Sequence, residues 1–251
     1  MADITITGAG GQVIRHDPHL LAQMEPGLFD PEWLQATGRL TGTSAGRNTA
    51  WFLHHDGRDM VLRHYWRGGM VGRIVKDRYW RAAPDNSRAM REYALLGWMQ
   101  AQGLPVPRPV AARHAPAGPL FYRADLLMER IPGTRPLADL LAEGPVRADL
   151  WQRIGAVIGQ MHGLGVDHSD LNCRNILLDG AGQPWLIDFD KCARRPAGPW
   201  AQANIDRLHR SLRKEKGKVA QLHWNDGDWQ ALLAGYRSAT AAQAPTPQAP
   251  A

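Results

Sequence analysis

The chain has 251 residues, of which 44% are hydrophobic and 22% are charged, a composition typical of a folded globular protein rather than a disordered chain. Its 30 basic and 24 acidic side chains give a net charge of +6, which favours anionic partners such as nucleic acid, acidic lipid headgroups or phosphorylated small molecules. No stretch approaches the roughly 18 apolar residues of a membrane span and no apolar signal segment is visible, so we expect a protein that is cytoplasmic or held peripherally on a membrane.

Residues 1–35 are predicted to form an N-terminal leader that is irregular or hairpin-like. Gly8–Gly11 supplies a turn, and two further breaks follow at Pro26-Gly27 and Asp30-Pro31. Two apolar residues near the end of the leader, Trp33 and Leu34, are expected to pack it against the domain that follows.

A turn of small residues, Gly42–Thr49, lies between two strand-like patterns. The strand after it begins with Ala50–Leu53, and Met60–Tyr65 has the pattern of another strand. Because backbone N–H groups in such a turn can approach phosphate closely, Gly42 and Gly46 are candidate nucleotide-binding residues. An ordinary hairpin turn has the same pattern.

A basic segment, residues 63–91, carries eight basic side chains against two acidic ones, with Trp66, Tyr79 and Trp80 interleaved. This composition fits either a solvated face or a docking surface for acidic lipid, where basic and aromatic side chains are favoured.

A helix is predicted over residues 88–102, because apolar residues recur at near-helical spacing and Gly103 can end it. Glu92 lies in the first turns of this helix and is the candidate ion-pair partner of Arg63. A predicted strand over residues 121–128 leads into a Pro-Gly break. Such a break suits a hinge between two lobes, whose backbone at Glu129 and Ile131 would face an adenine ring; a plain surface turn fits it equally.

The remaining part of the chain is predicted to be largely helical. Helices are expected over residues 137–143 and 149–162 and from about Ala201. Residues 207–218 hold six basic side chains and one acidic one, which indicates either a solvated face or contact with a membrane or an anionic substrate. Residues 239–251 are rich in Ala, Gln, Pro and Thr and are predicted to be a disordered tail.

Three polar residues stand at fixed spacing around a predicted hairpin. Asp170 is followed five residues later by Asn175 and 18 residues later by Asp188. This spacing matches the kinase catalytic-loop pattern and predicts a phosphoryl-transfer site. Asp170 would orient a substrate hydroxyl and accept its proton, while Asn175 and Asp188 are oxygen ligands suited to Mg²⁺. His168 is expected to hold the loop by hydrogen bonds.

The segments 168–179 and 185–192 resemble the lipopolysaccharide core kinases, with supporting stretches at 46–52, 62–69, 104–109 and 120–127. The resemblance covers roughly residues 40 to 215. It implies an α+β, protein-kinase-like fold with a small β-rich N-lobe over residues 36–130 and a larger helical C-lobe over residues 131–238.

The resemblance also implies an activity and a location. The reaction would be ATP-dependent phosphorylation of the 4-hydroxyl of 3-deoxy-D-manno-octulosonic acid (Kdo) on a lipid A precursor. The enzyme would work peripherally at the cytoplasmic face of the bacterial inner membrane, with the two basic segments meeting its anionic surface and with no nucleic acid partner. Arg63 stands where a kinase offers its phosphate-holding lysine, and Lys76 is the fallback for that role.

Two alternatives remain at the level of sequence. One is another kinase-like enzyme, of the aminoglycoside-phosphotransferase or Rio type, acting on a small molecule or a protein. The other is a nucleotide-binding pseudokinase that serves as a scaffold. The arginine at position 63 is the only support for the pseudokinase, and the complete set Asp170, Asn175 and Asp188 argues against it.

Overall fold

The computed structural model describes residues 3–44, 49–66, 77–218 and 221–242. The chain divides into two compact units. The sheet unit comprises Met1–Ala101 and Pro107–Ile131, and the helical unit comprises Gln102–Val106 and Pro132–Ala251. Within the described residues, no helix is both long and apolar enough to cross a membrane.

The sheet unit is built on an eight-stranded sheet in the order β1-β2-β7-β8-β5-β4-β3, with β6 paired to β8. Its strands are β1 (Ile4–Thr7), β2 (Val13–His16), β3 (Leu40–Thr43), β4 (Ala50–His55), β5 (Arg58–His64), β6 (Tyr79–Trp80), β7 (Pro109–Pro116) and β8 (Phe121–Glu129). The short helix α1 (Pro31–Ala36) precedes β3, and α2 (Arg88–Ala101) packs against β7 and β8.

The β4–β5 hairpin turns on only two residues, Asp56 and Gly57. Both have positive φ angles, 50° and 72°, the backbone conformation that two-residue hairpin loops require. The loop of this hairpin is therefore two residues long.

The predicted N-terminal leader is not a separate segment. Its strand β2 pairs antiparallel with β7, so that β1 and β2 extend the same sheet. The polypeptide after β2 then supplies Leu21, Leu28 and Leu34 to a buried cluster that also contains Leu53 and Leu127 from the sheet. The leader therefore adds both strands and core to the sheet unit, and the two units have nearly equal lengths.

The helical unit contains four helices and three short strand pairings among its described residues. The helices are α3 (Leu137–Glu143), α4 (Ala148–Gly163), α5 (Trp200–Lys216) and α6 (Asp226–Ala242). The strands are β9 (Arg135–Pro136), β10 (Val166–Asp167), β11 (Ile176–Leu178), β12 (Pro184–Leu186) and β13 (Ala193–Arg194). Strand β11 pairs antiparallel with β12 and β9, and β10 pairs with β13.

Helices α4 and α6 touch backbone to backbone at glycines. A Cβ atom added to Gly155 would lie 1.9 Å from the carbonyl oxygen of Leu232, and one added to Gly235 would lie 1.9 Å from that of Gln152. Only glycine fits at such a distance. Helix α6 continues to Ala242, so the predicted disordered tail over residues 239–251 starts too early; residues 243–251 lie outside the described ranges.

Candidate active site

The loop between β10 and β11 carries the predicted base, Asp170, with its side chain exposed. Two amides fix the backbone beneath it, because Nδ2 of Asn172 donates to the carbonyl oxygen of Asp170 at 2.8 Å and Nδ2 of Asn175 donates to the same oxygen at 3.0 Å. Since Asn175 uses its nitrogen in this way, its Oδ1 is the atom that it can offer to a cation.

His168 connects this loop to the segment that follows β12. Its ring is fully buried, its Nε2 lies 3.0 Å from the carbonyl oxygen of Ile187, and its Nδ1 accepts from the backbone N–H of Asp170 at 3.3 Å. Because Nδ1 accepts a hydrogen bond, the proton of the neutral His168 ring is on Nε2, and this N–H donates to the carbonyl oxygen of Ile187. Burial lowers the pKa of His168. The ring is therefore a neutral structural link, as predicted, and not a proton acceptor for the reaction.

The β11–β12 hairpin brings Asn175 and Asp188 to the same end. Ile176 pairs with Leu186, and the backbone N–H of Ile187 donates to the carbonyl oxygen of Asn175 at 3.0 Å. Asp188 follows directly with a φ of 66°, a left-handed conformation that aspartate adopts more readily than most residues. Hydrogen bonds thus link the Asn175 side chain to the backbone of Asp170, and the Asn175 backbone to Ile187, the residue before Asp188.

The side-chain atoms that could bind a metal ion at this end of the hairpin are oxygen atoms, the ligand type that Mg²⁺ prefers. They comprise the Asn175 amide oxygen and the carboxylates of Asp170 and Asp188. Within the described ranges, no group of three or more His, Cys, Asp or Glu side chains comes together as a metal site. One carboxylate and one amide suffice for Mg²⁺, which usually keeps several waters and binds substrate phosphates. The residues present therefore fit this ion.

Helix α5 contributes polar side chains that the sequence prediction missed. At Asn204, Oδ1 accepts from the backbone N–H of His168 at 2.9 Å, and Nδ2 donates to Asp167 Oδ1 at 3.0 Å. One and two turns further along α5, Arg207 Nε donates to the carbonyl oxygen of Ser169 at 3.0 Å and Ser211 Oγ accepts from the backbone N–H of Cys173 at 3.1 Å.

Near its end, α5 offers Glu215, whose carboxylate pairs with Arg174 at 2.8 Å. That pair lowers the pKa of Glu215. Asn204 and Glu215 are buried among the apolar residues of the helix face, and buried polar side chains in an amphipathic helix are the signal that could have identified this stripe.

In the sheet unit, the predicted ion pair is confirmed. Arg63 on β5 pairs through Nη2 with Oε2 of Glu92 on α2, and Glu92 is buried. The hydroxyl of Tyr65 donates to the same Glu92 oxygen at 2.6 Å, and the guanidinium of Arg63 lies 4.7 Å from the centroid of the Tyr65 ring. Glu92 therefore holds Arg63 in place by charge, as predicted. Lys76 lies outside the described residues.

The other predicted nucleotide-binding residues have varied positions. Gly42 lies in β3 opposite Phe52, not in the turn, because the strand continues to Thr43. Gly46 lies outside the described residues. Glu129 is the last residue of β8, and its carboxylate accepts from Arg58 Nη1 at 2.7 Å. Ile131 is the last residue of the sheet unit. Nucleotide contact at these four positions stays a prediction.

Comparisons with known proteins agree on one family. The family model described as lipopolysaccharide kinase (Kdo/WaaP) family matches residues 31–236. The 3-deoxy-D-manno-octulosonic acid kinase of Vibrio vulnificus strain YJ016 is 44% identical over 229 residues, which cover 91% of this chain and 96% of that protein. The enzyme of the same name from Vibrio cholerae El Tor Inaba N16961 is 41% identical over 214 residues, covering 85% and 90%.

Two solved structures share the fold. A structure of WaaP in complex with acyl carrier protein has a TM-score of 0.53 at 17% identity and covers 84% of this chain and 85% of that chain. A glucosamine kinase in complex with glucosamine, ADP and inorganic phosphate has a TM-score of 0.54 at 16% identity and covers 95% and 79%. The predicted α+β, kinase-like fold is thereby confirmed.

Proposed function

Because the chain belongs to the lipopolysaccharide kinase (Kdo/WaaP) family, we propose that it phosphorylates Kdo on a lipid A precursor with ATP as the phosphate donor. The 4-hydroxyl of Kdo is the proposed acceptor. The observation that carries this proposal is the hydrogen-bonded set around Asp170, Asn175 and Asp188, in a chain 44% identical over nearly its whole length to a Kdo kinase.

Catalysis of phosphoryl transfer depends mainly on positioning and on charge neutralisation. Asp170 is the proposed base, because its carboxylate is exposed while two amides hold its backbone. It orients the sugar hydroxyl and accepts its proton. Asn175 Oδ1 and the Asp188 carboxylate are the proposed ligands of Mg²⁺, which neutralises phosphate charge when bound.

The sheet unit supplies the proposed contacts to ATP. Glu92 holds the Arg63 guanidinium by an ion pair, and an arginine guanidinium can bind phosphate oxygens in a bidentate manner. The turn that includes Gly46, with Gly42 at its edge, is proposed to cover the phosphates. The backbone at Glu129 and Ile131 is proposed to face adenine.

The acceptor in this proposal is anionic and belongs to a membrane lipid, which fits a net charge of +6. We place the enzyme peripherally at the cytoplasmic face of the inner membrane, with residues 63–91 and 207–218 as the basic surfaces. In the first of these, residues 67–76 lie outside the described ranges. Trp80 there is 63% exposed, and nearby Leu120 is 56% exposed. Exposed aromatic and apolar side chains beside basic ones favour a lipid interface.

The deciding experiment incubates the protein with ATP, Mg²⁺ and Kdo-lipid A precursor and locates the added phosphate by mass spectrometry. We expect one phosphate at the 4-hydroxyl. The Asp170→Asn variant should lose on the order of 10²–10⁴-fold in turnover, the usual contribution of a general base, while remaining folded.

The matched control is Asp206→Asn, which removes an exposed carboxylate on α5 outside the proposed site. It should retain wild-type turnover. Unchanged turnover in Asp170→Asn would refute the base assignment. Phosphorylation of a soluble aminoglycoside or a protein, but not of the Kdo lipid, would instead favour another kinase-like activity.

A further inference from the structure

Arg207 of helix α5 lies beside the proposed base. Its Nε donates to the carbonyl oxygen of Ser169 at 3.0 Å, and its Nη2 lies 3.4 Å from Oδ1 of Asp170. In the described part of the chain, Arg207 is the one cation that forms an ion pair with Asp170. A cation next to the proton acceptor is positioned to contact whatever molecule presents the reacting hydroxyl.

The guanidinium is anchored but not saturated. Arginine has five N–H donors, and within the described residues Nε alone makes a hydrogen bond of ordinary length. The distance to Asp170 exceeds the 2.7–2.9 Å of a direct charge-assisted bond. With 45% of the side chain exposed, donors on both terminal nitrogens can reach an incoming anion.

The position of Arg207 along α5 is fixed on both sides. Asn204, one turn before it, binds the backbone of His168, and Ser211, one turn after it, binds the backbone of Cys173. The helix cannot slide past the loop without breaking these bonds. The head group of Arg207 is therefore held beside Asp170 by the fold.

Two other cations near the loop, Arg174 and Lys218, form ion pairs with acidic side chains other than Asp170. Arg174, within the loop itself, pairs with Glu215 at 2.8 Å and with Asp139 at 3.5 Å. Lys218 pairs with Glu215 at 2.7 Å. Among the described residues of α5, Arg207 is the cation that forms an ion pair with Asp170.

We infer that Arg207 binds the carboxylate of the acceptor sugar and thereby selects an acidic sugar over a neutral one. This inference rests on the proposed function, in which the acceptor is a sugar acid. The carboxylate of Kdo is attached to the same ring as the 4-hydroxyl. An arginine fork beside the base can bind that carboxylate in a bidentate manner and orient the hydroxyl toward Asp170.

The test compares two acceptors that differ in one group: Kdo-lipid A precursor, and the same lipid with the Kdo carboxylate converted to a carboxamide. The unsubstituted protein should prefer the carboxylate by about 10- to 100-fold in kcat/KM, the range for a hydrogen bond to a charged group. Arg207→Gln should reduce this preference to near unity, mainly through a higher KM for the carboxylate acceptor.

Two further variants make the result specific. Arg207→Lys keeps the charge without the fork and should restore part of the preference. Arg237→Gln, an exposed arginine on α6, should leave the preference unchanged. The wild-type comparison needs no variant, so it tests the inference even where Arg207→Gln fails to fold.

Two results would overturn the inference while leaving the proposed function intact. One is a wild-type protein that uses both acceptors equally. The other is an Arg207→Gln variant whose kcat/KM falls by the same factor with both acceptors. That result would indicate that the arginine binds the transferred phosphate or holds the loop in place. If the unsubstituted protein phosphorylates neither acceptor, the proposed function fails and the inference fails with it.

Discussion

Replacing Asn204 by alanine should weaken the attachment of the loop that carries Asp170 to helix α5. The side chain is 5% exposed and makes hydrogen bonds to the His168 backbone and the Asp167 carboxylate, at 2.9 and 3.0 Å. Oδ1 of Asn204 also lies 3.3 Å from Nε2 of His162. A buried N–H left without an acceptor costs about 1–3 kcal/mol, and the bond to Asp167 adds roughly 1 kcal/mol because Arg195 still neutralises that carboxylate. We therefore expect a loss of about 2–4 kcal/mol in the free energy of unfolding.

The measurement is urea unfolding of the wild type and the variant, followed by kinase assays at urea-free conditions where both are folded. Since misplacement of a catalytic group by about 1 Å can cost on the order of 10²-fold, turnover of the folded variant should fall by that order. The control is Gln202→Ala, which removes an exposed amide from the same helix and should change stability by at most about 0.5 kcal/mol.

The Asn204→Asp variant separates the two hydrogen bonds. It keeps an acceptor for the His168 N–H but loses the donor to Asp167 and places two carboxylates together. It should therefore also be destabilised. If Asn204→Ala unfolded at the wild-type urea concentration and kept full turnover, the reasoning that α5 holds the loop would be refuted.

Two further predictions concern stability. Gly235→Ala should destabilise the protein by about 1–3 kcal/mol although alanine favours helices, because its Cβ would lie 1.9 Å from the Gln152 carbonyl oxygen. Gly180→Ala is the control and should not destabilise the protein, because the space around Gly180 is open. Thermal unfolding of the two variants measures the difference. Burial lowers the pKa of His162 to about 4, so the unfolded chain binds more protons than the folded one below pH 6.5. As the pH is lowered from 6.5 to 4, this residue should reduce the free energy of unfolding by up to about 1.4 kcal/mol per pH unit. In His162→Gln, the free energy of unfolding measured by denaturation at a series of pH values should depend less on pH in this range. An unchanged slope would contradict the prediction.

The local elements and the chemistry of the candidate site could be predicted from the sequence. The spacing of Asp170, Asn175 and Asp188 predicted a phosphoryl-transfer site, and in the structure hydrogen bonds join Asn175 to Asp170 and to Ile187, the residue before Asp188. Helix α3 begins and ends where its pattern predicts, and the Arg63–Glu92 pair follows from a strand and a helix that could both be identified. These features depend on residues close in sequence, where periodicity, turn residues and motif spacing act directly.

The contacts between segments far apart in the chain could not be predicted from the sequence. The leader joins the sheet through pairing of Val13–His16 with residues 111–114, and no local signal specifies such a partner. Asn204 and Arg207 reach the loop that carries Asp170 across 36 and 38 residues of sequence. The basic composition of their helix indicated only a solvated face or contact with a membrane or an anionic substrate. Periodicity identifies the buried face of a helix but not what that face contacts. For this protein, that partner is the loop that carries the proposed base.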